Sequence, residues 1–151
     1  MAQLRRVLLV EDDPKDVELT LTAFGEKNLG NVVDVARDGA EALDYLYRRG
    51  NFSSRPQSHP VVILLDLKLP KIDGMQVLQE IKGNDALKTI PVVVLTSSRE
   101  EQDLVRSYRL GVNAYVVKPV DFHKFVDAVG ELGVFWAVIN QPPPGTMGQG
   151  S

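Results

Sequence analysis

A chain of 151 residues with a net charge of −3 is long enough for one domain with a substantial core, and it gives no electrostatic reason to expect nucleic-acid binding. The absence of cysteine excludes disulfides, thiolate metal sites and cysteine nucleophiles. No apolar stretch reaches membrane-spanning length, and the run after Arg5-Arg6 ends at once in Glu11-Asp12-Asp13, so a soluble cytoplasmic protein without a signal peptide is expected.

Residues 7–10 form a short β-branched, apolar run that predicts a first strand. Pro14 suits the first turn of a following helix, where its missing N–H matters least, and Val17, Leu21, Phe24 and Leu29 line one face of it. Residues 31–36 are a weaker strand candidate. After Asp38-Gly39, a second helix carries Ala42, Leu43, Leu46 and Tyr47. Residues 50–60 read as a polar loop containing Ser and Pro. The next run, residues 61–65, is wholly apolar, as in a strand buried on both faces. A third helix after Gly74 presents Val77, Leu78 and Ile81. A strand over 92–95 and a helix after Ser98 with Leu104, Val105 and Tyr108 come next. The last pair is a strand over 114–117 and a helix with Phe122, Phe125, Val126, Val129 and Leu132. Phe135, Trp136, Val138 and Ile139 extend the apolar surface further. Residues 140–151 are rich in Pro and Gly and are expected to be disordered.

Strand and helix thus alternate five times. That pattern predicts an α/β domain with a parallel, doubly wound sheet covered by helices on both faces. Open sheets of this kind bind ligands at the carboxyl ends of their strands. Asp66 ends the most apolar strand and is the leading nucleophile or metal-ligand candidate. Glu11, Asp12 and Asp13 directly follow the first strand, which neighbours the third in such sheets. Crowded carboxylates raise one another's pKa, and a divalent cation relieves them. Mg²⁺ is the natural choice, held by one or two carboxylates, a carbonyl, waters and substrate phosphate. Asp13 and Asp16 also fit a simpler role at a helix N-terminus. Thr96 and Lys118 end two further strands and can contact phosphate oxygens.

Glu11-Asp12, Asp66 with Leu69-Pro70 and Asp73-Gly74, Thr96-Ser97 and Lys118-Pro119 together resemble the receiver domain of two-component response regulators. The resemblance covers about residues 5–132, with the receiver extended to residue 139. It implies a flavodoxin-like (βα)5 fold with strand order 2-1-3-4-5. It also implies that Asp66 accepts a phosphoryl group from a phosphohistidine on a sensor histidine kinase. Asp12, Asp66 and the Lys68 carbonyl would bind Mg²⁺, with Glu11 reaching it through water. Lys118 would pair with the phosphoryl group, Thr96 would hydrogen-bond it, and Tyr115 would change its burial. The inserted loop, the Phe135-Trp136 pair and the proline tail are similar to small response regulators paired with bacterial phytochromes.

The apolar extension suggests a homodimer with Phe135, Trp136 and Ile139 at the contact, and output through a downstream phosphotransfer or effector protein. Two rival readings are a Mg-dependent aspartyl-phosphate hydrolase and a receiver fragment of a larger transcription factor. The hydrolase normally needs an acid shortly after its nucleophile, where this chain has Lys68. A phosphate-independent interaction domain is a third, weakened by the intact acidic and lysine set. His59 and His123 read as surface residues, and Arg99, Glu100 and Glu101 as a solvated helix face.

Overall fold

The computed structural model describes residues 6–26, 32–55, 59–112 and 114–132. Phe135, Trp136, Ile139 and the tail over 140–151 lie outside the described residues. The elements run β1 (Arg6–Val10), α1 (Pro14–Glu26), β2 (Val32–Ala36), α2 (Gly39–Tyr47), β3 (Val62–Asp66), α3 (Gly74–Gly83), β4 (Val92–Thr96), α4 (Arg99–Ser107), β5 (Ala114–Val117) and α5 (Phe122–Leu132). All sheet pairings are parallel, and the strand order is β2-β1-β3-β4-β5, as the resemblance implied.

Strand alternation divides the core in two. Leu8, Val10, Ile63, Leu65, Val92 and Val94 pack with Ala42, Leu43 and Leu46 of α2 and with Val77, Leu78 and Ile81 of α3. The opposite side chains, Val7, Leu9, Val62, Leu64, Val93 and Leu95, pack with Val17 and Phe24 of α1 and with Phe125, Ala128 and Val129 of α5. The Phe24 and Phe125 rings meet with centroids 4.5 Å apart. Every residue of β3 and β4 is buried, which is why both strands read as continuous apolar runs.

Two helical faces and one loop differ from the sequence expectation. In α1 the buried stripe runs from Val17 to Phe24 through Thr20, and Leu21 is exposed. Thr20 tolerates burial because its hydroxyl donates to the Asp16 carbonyl at 2.9 Å. In α4 only Val105 is buried, while Leu104 and Tyr108 are exposed. Leu104 sits one residue, about 100°, off the line that Val105 defines. The segment after α2 is not a plain loop. Gly50–Phe52 forms a 3-10 turn, the Phe52 ring packs edge-on against Tyr45, and the Arg55 guanidinium stacks 4.1 Å from the Tyr45 ring centroid.

Two Asp-Gly pairs set how closely the helices start beside the sheet. Asp38 caps α2 by accepting from the Glu41 N–H, and Asp73 forms a reciprocal capping box with Gln76 at α3. A Cβ on Gly74 would collide with the Asp66 carbonyl oxygen and the Leu67 Cα, and would stand 2.8 Å from the Leu67 carbonyl carbon. Only glycine lets α3 start against the backbone that carries Asp66. Gly39 does the same for α2 against the backbone of Ile72.

Candidate functional site

The first, third, fourth and fifth strands deliver their ends to one edge of the sheet. The Glu11 N–H donates to the Ala36 carbonyl at 3.0 Å, extending the β1–β2 ladder by one residue. The Lys118 N–H donates to the Thr96 carbonyl at 2.8 Å and does the same between β5 and β4. These bonds fix the positions of Glu11 and Lys118 although neither lies within a strand. The Lys118–Pro119 peptide is cis.

At this edge Glu11, Asp66 and Thr96 are buried, and Asp12 is exposed at the mouth. Glu11, Asp12 and Asp66 each place a carboxylate oxygen within 4.8 Å of the others, a spacing suited to a shared cation. The Lys118 ammonium lies among acids on its other side, 3.2 Å from Glu11 Oε1, 3.1 Å from Asp16 Oδ2 and 3.3 Å from Asp66 Oδ2. Asp66 Oδ1 accepts from the Lys68 N–H at 3.3 Å. Asp66 thus has one oxygen facing lysine and the other facing the loop.

The acids exceed the local positive charge, and the site's protonation reflects it. Burial pushes the Glu11 carboxyl up to about 8, helped by its hydrogen bond and charge repulsion with Asp66 and opposed by Lys118. Burial by itself lowers the Lys118 ammonium. The charges of Asp66 and Glu11, with hydrogen bonds to Asp16 and Glu11, outweigh it and hold that group above the ordinary lysine range. Burial and the neighbouring Asp66 thus favour the protonated form of Glu11. A divalent ion held here would favour the ionised carboxylates by supplying the missing charge.

Thr96 is fully buried, and its hydroxyl has no hydrogen-bond partner among the described residues. A buried hydroxyl left unpaired is costly, and an arriving acceptor oxygen satisfies it. Tyr115 is half-buried on β5. Its hydroxyl donates to the Val112 carbonyl at 3.2 Å, and the Arg106 guanidinium lies 4.7 Å from its ring centroid.

Two participants were not legible as such in the sequence. Asp16, assigned there to the helix N-terminus, pairs with Lys118. Asp13 performs the capping instead, with Oδ1 accepting from the Lys15 N–H at 2.8 Å. Glu101, read as part of a solvated face, accepts from the Ser97 N–H at 2.8 Å and pairs with Lys68 at 3.3 Å. His59 and His123 are exposed, as expected.

Residues 7–130 match the family model described as the response regulator receiver domain. This chain belongs to that family. It is 41% identical over 138 residues to "Probable methanogenesis regulatory protein FilR2" of Methanothrix harundinacea (strain 6Ac), covering 91% of this chain and 86% of the relative. It is likewise 41% identical over 130 residues to "Response regulator Rcp1" of Synechocystis sp. (strain ATCC 27184 / PCC 6803 / Kazusa), covering 86% and 87%. The Mn(2+)-bound form of Rcp1 superposes with a TM-score of 0.71 at 38% identity, over 93% of this chain and 99% of that one. The bacteriophytochrome response regulator AtBRR superposes with a TM-score of 0.88 at 64% identity, over 93% and 100%. The receiver is therefore a signalling module of the two-component type, and receivers of this family pair with sensor histidine kinases. Among the described residues, no helix is long and apolar enough to cross a membrane.

Proposed function

We propose that Asp66 is the phosphoacceptor of this receiver and that the kinase supplying it is a bacteriophytochrome. The observation that carries the chemistry is the Lys118 ammonium, held within 3.3 Å of Asp66 Oδ2 at a strand end shared with Glu11 and Asp12. The partner class rests on the 64% identity to AtBRR across nearly the whole chain. An Asp66 oxygen attacks the phosphorus of a phosphohistidine. The P–N bond breaks, and the imidazole leaves with the electron pair and takes up a proton. Lys118 offsets charge on the phosphoryl oxygens, and Thr96 donates its free hydroxyl to one of them.

Asp12, Asp66 and the Lys68 carbonyl would hold Mg²⁺, with Glu11 assisting through water. The close spacing of the three carboxylates and the raised Glu11 pKa both fit a divalent oxygen-ligated cation. When bound, that ion neutralises the carboxylates and the transferred group. The phosphorylated state then draws Thr96 inward and changes the setting of Tyr115, which biases the face formed by α4, β5 and α5 toward an effector or phosphotransfer partner. The same phosphoryl group is lost by slow autodephosphorylation. The position two beyond Asp66 is an exposed lysine paired with Glu101, which speaks against hydrolase chemistry requiring an acid there.

The apolar sequence at Phe135, Trp136 and Ile139 belongs to the receiver, which extends to residue 139, and mediates a homodimer. Intact mass after incubation with acetyl phosphate and Mg²⁺ tests the central assignment. One phosphoryl group should add to the wild type and none to Asp66→Asn. Persistent labelling of that variant removes Asp66 from the role. Sedimentation equilibrium of the wild type and a Phe135→Ala/Trp136→Ala variant tests the dimer, and a monomeric wild type at high micromolar concentration rejects it.

A further inference from the structure

Glu101 is an acid that this phosphotransfer reading leaves unused. It stands in the first turn of α4, where Oε1 accepts from the Ser97 N–H at 2.8 Å and Oε2 lies 3.3 Å from Lys68 Nζ. Ser97 directly follows Thr96, and Lys68 is two residues beyond Asp66. One carboxylate therefore ties the segment leaving β4 to the segment leaving β3, across the mouth of the acid cluster. Glu101, Lys68 and Asp12 line the same shallow groove, with Leu69, Pro70 and Leu104 as its apolar wall.

Helix capping accounts for an acid in the first turn of α4 and for its bond to the Ser97 N–H, but the pairing with Lys68 adds little to it. The Lys68 side chain is 73% exposed, and ion pairs of that kind contribute little to folding. The Ser97 N–H needs an acceptor, but a neutral one would serve. What a carboxylate adds is a charge, on a rim already carrying Asp12. Burial pushes the Glu101 carboxyl up, but hydrogen bonds from Ser97 and the contact with Lys68 prevail and hold it below the ordinary range. It is an anion at neutral pH, occupying two donors beside the Asp66 pocket.

Building on the phosphoacceptor reading, we infer that Glu101 is the resting counter-anion of the pocket. It holds the Ser97 N–H and the Lys68 ammonium while Asp66 is free, and it competes with an arriving phosphoryl group for them. A phosphoryl group brings up to two negative charges and three acceptor oxygens to this mouth. It repels Glu101 and offers the same two donors a stronger acceptor. Glu101 is thus a positioning residue that sets how readily the pocket takes up an anion. It also links occupancy of the site to the N-terminus of α4, the helix that borders the face containing Tyr115.

Calorimetric titration of the full chain with beryllium fluoride, a phosphoryl mimic, in saturating Mg²⁺ tests this. Glu101→Gln keeps an acceptor for the Ser97 N–H and removes only the charge. Removing one charge at a solvated rim several ångströms from the anion should tighten binding by about threefold at low ionic strength, and by less at about 0.5 M salt. Glu100→Gln, an exposed acid on the same turn, should bind as the wild type does. Unchanged or weaker binding in Glu101→Gln overturns the inference. So does an equal gain in Glu100→Gln, which would mark a general charge effect. So does a gain seen only in Glu101→Ala, which would mark loss of the Ser97 contact. Asp66→Asn separates the two levels of the argument. If it still binds the mimic, the phosphoacceptor reading fails. If it is silent while Glu101→Gln matches the wild type, only the counter-anion role fails.

Discussion

Gly74→Ala tests whether the close approach of α3 to the phosphoacceptor strand is a requirement of the fold. The added Cβ would overlap the Asp66 carbonyl oxygen and the Leu67 Cα, and stand 2.8 Å from the Leu67 carbonyl carbon. Carbon atoms settle at about 3.5 Å or more, so relief needs a shift of at least about 0.7 Å. All three obstructing atoms are backbone, so no side chain can rotate away. Overpacking of this kind costs about 1–3 kcal/mol, and a rigid backbone places the cost at the upper end. Gly83, the last residue of the same helix, is the control. A Cβ there meets nothing within 4 Å, and alanine should gain about 0.5–1 kcal/mol through helix propensity and a less flexible unfolded chain. Urea unfolding followed by circular dichroism should therefore separate the two variants by about 3 kcal/mol with unchanged m-values, or about 10 °C in Tm. The shift also displaces Asp66, so Mg²⁺-dependent labelling of folded Gly74→Ala should slow beyond what its stability explains. A Gly74→Ala protein within about 0.5 kcal/mol of wild type, labelled at the normal rate, refutes the reasoning, since surface substitutions fall in that range.

Asp12→Asn should weaken Mg²⁺ binding at least tenfold by calorimetry, whereas Asp13→Asn, whose side-chain oxygen still caps α1, should leave affinity within about twofold and stability within about 0.5 kcal/mol. Equal losses of affinity would remove the distinction. The raised Glu11 pKa makes the metal-free folded protein bind a proton that the unfolded chain releases above the ordinary carboxylate range near 4.5. Metal-free stability should therefore fall as pH rises from about 5 toward 8, while Mg²⁺ affinity rises over the same window with proton release. Glu11→Gln should flatten both trends, and a wild type without a pH slope in chelator contradicts the assignment. Thr96→Ala should still accept phosphate but show a smaller change in hydrogen exchange around Tyr115, and an unchanged exchange response would exclude Thr96 from the switch.

Local chemistry made most of the elements readable. The apolar runs at 61–65 and 92–95 are strands buried on both faces, and helices start after Asp38 and Asp73 as read, with the capping by these two side chains seen only in the structure. Asp66, Glu11, Asp12, Thr96 and Lys118 were visible because each stands where an apolar run stops, and ligand sites in open α/β sheets form at those stops. The strand order was not derivable from patterning. Five right-handed β-α units admit several doubly wound orders, and apolar alternation is the same in each, so the order came from family resemblance alone. What only the tertiary structure decided are pairings across elements far apart in sequence. Asp16 meets Lys118 and Glu101 meets Lys68 because the sheet brings the ends of β1, β3, β4 and β5 together. Thr20 rather than Leu21 faces the core because a helix's rotation is set by the surface it packs on, and a hydroxyl can be buried once Asp16 accepts its hydrogen bond. Periodicity is a property of one segment. The direction in which a segment faces is a property of its neighbours, and those are fixed only when the chain is folded.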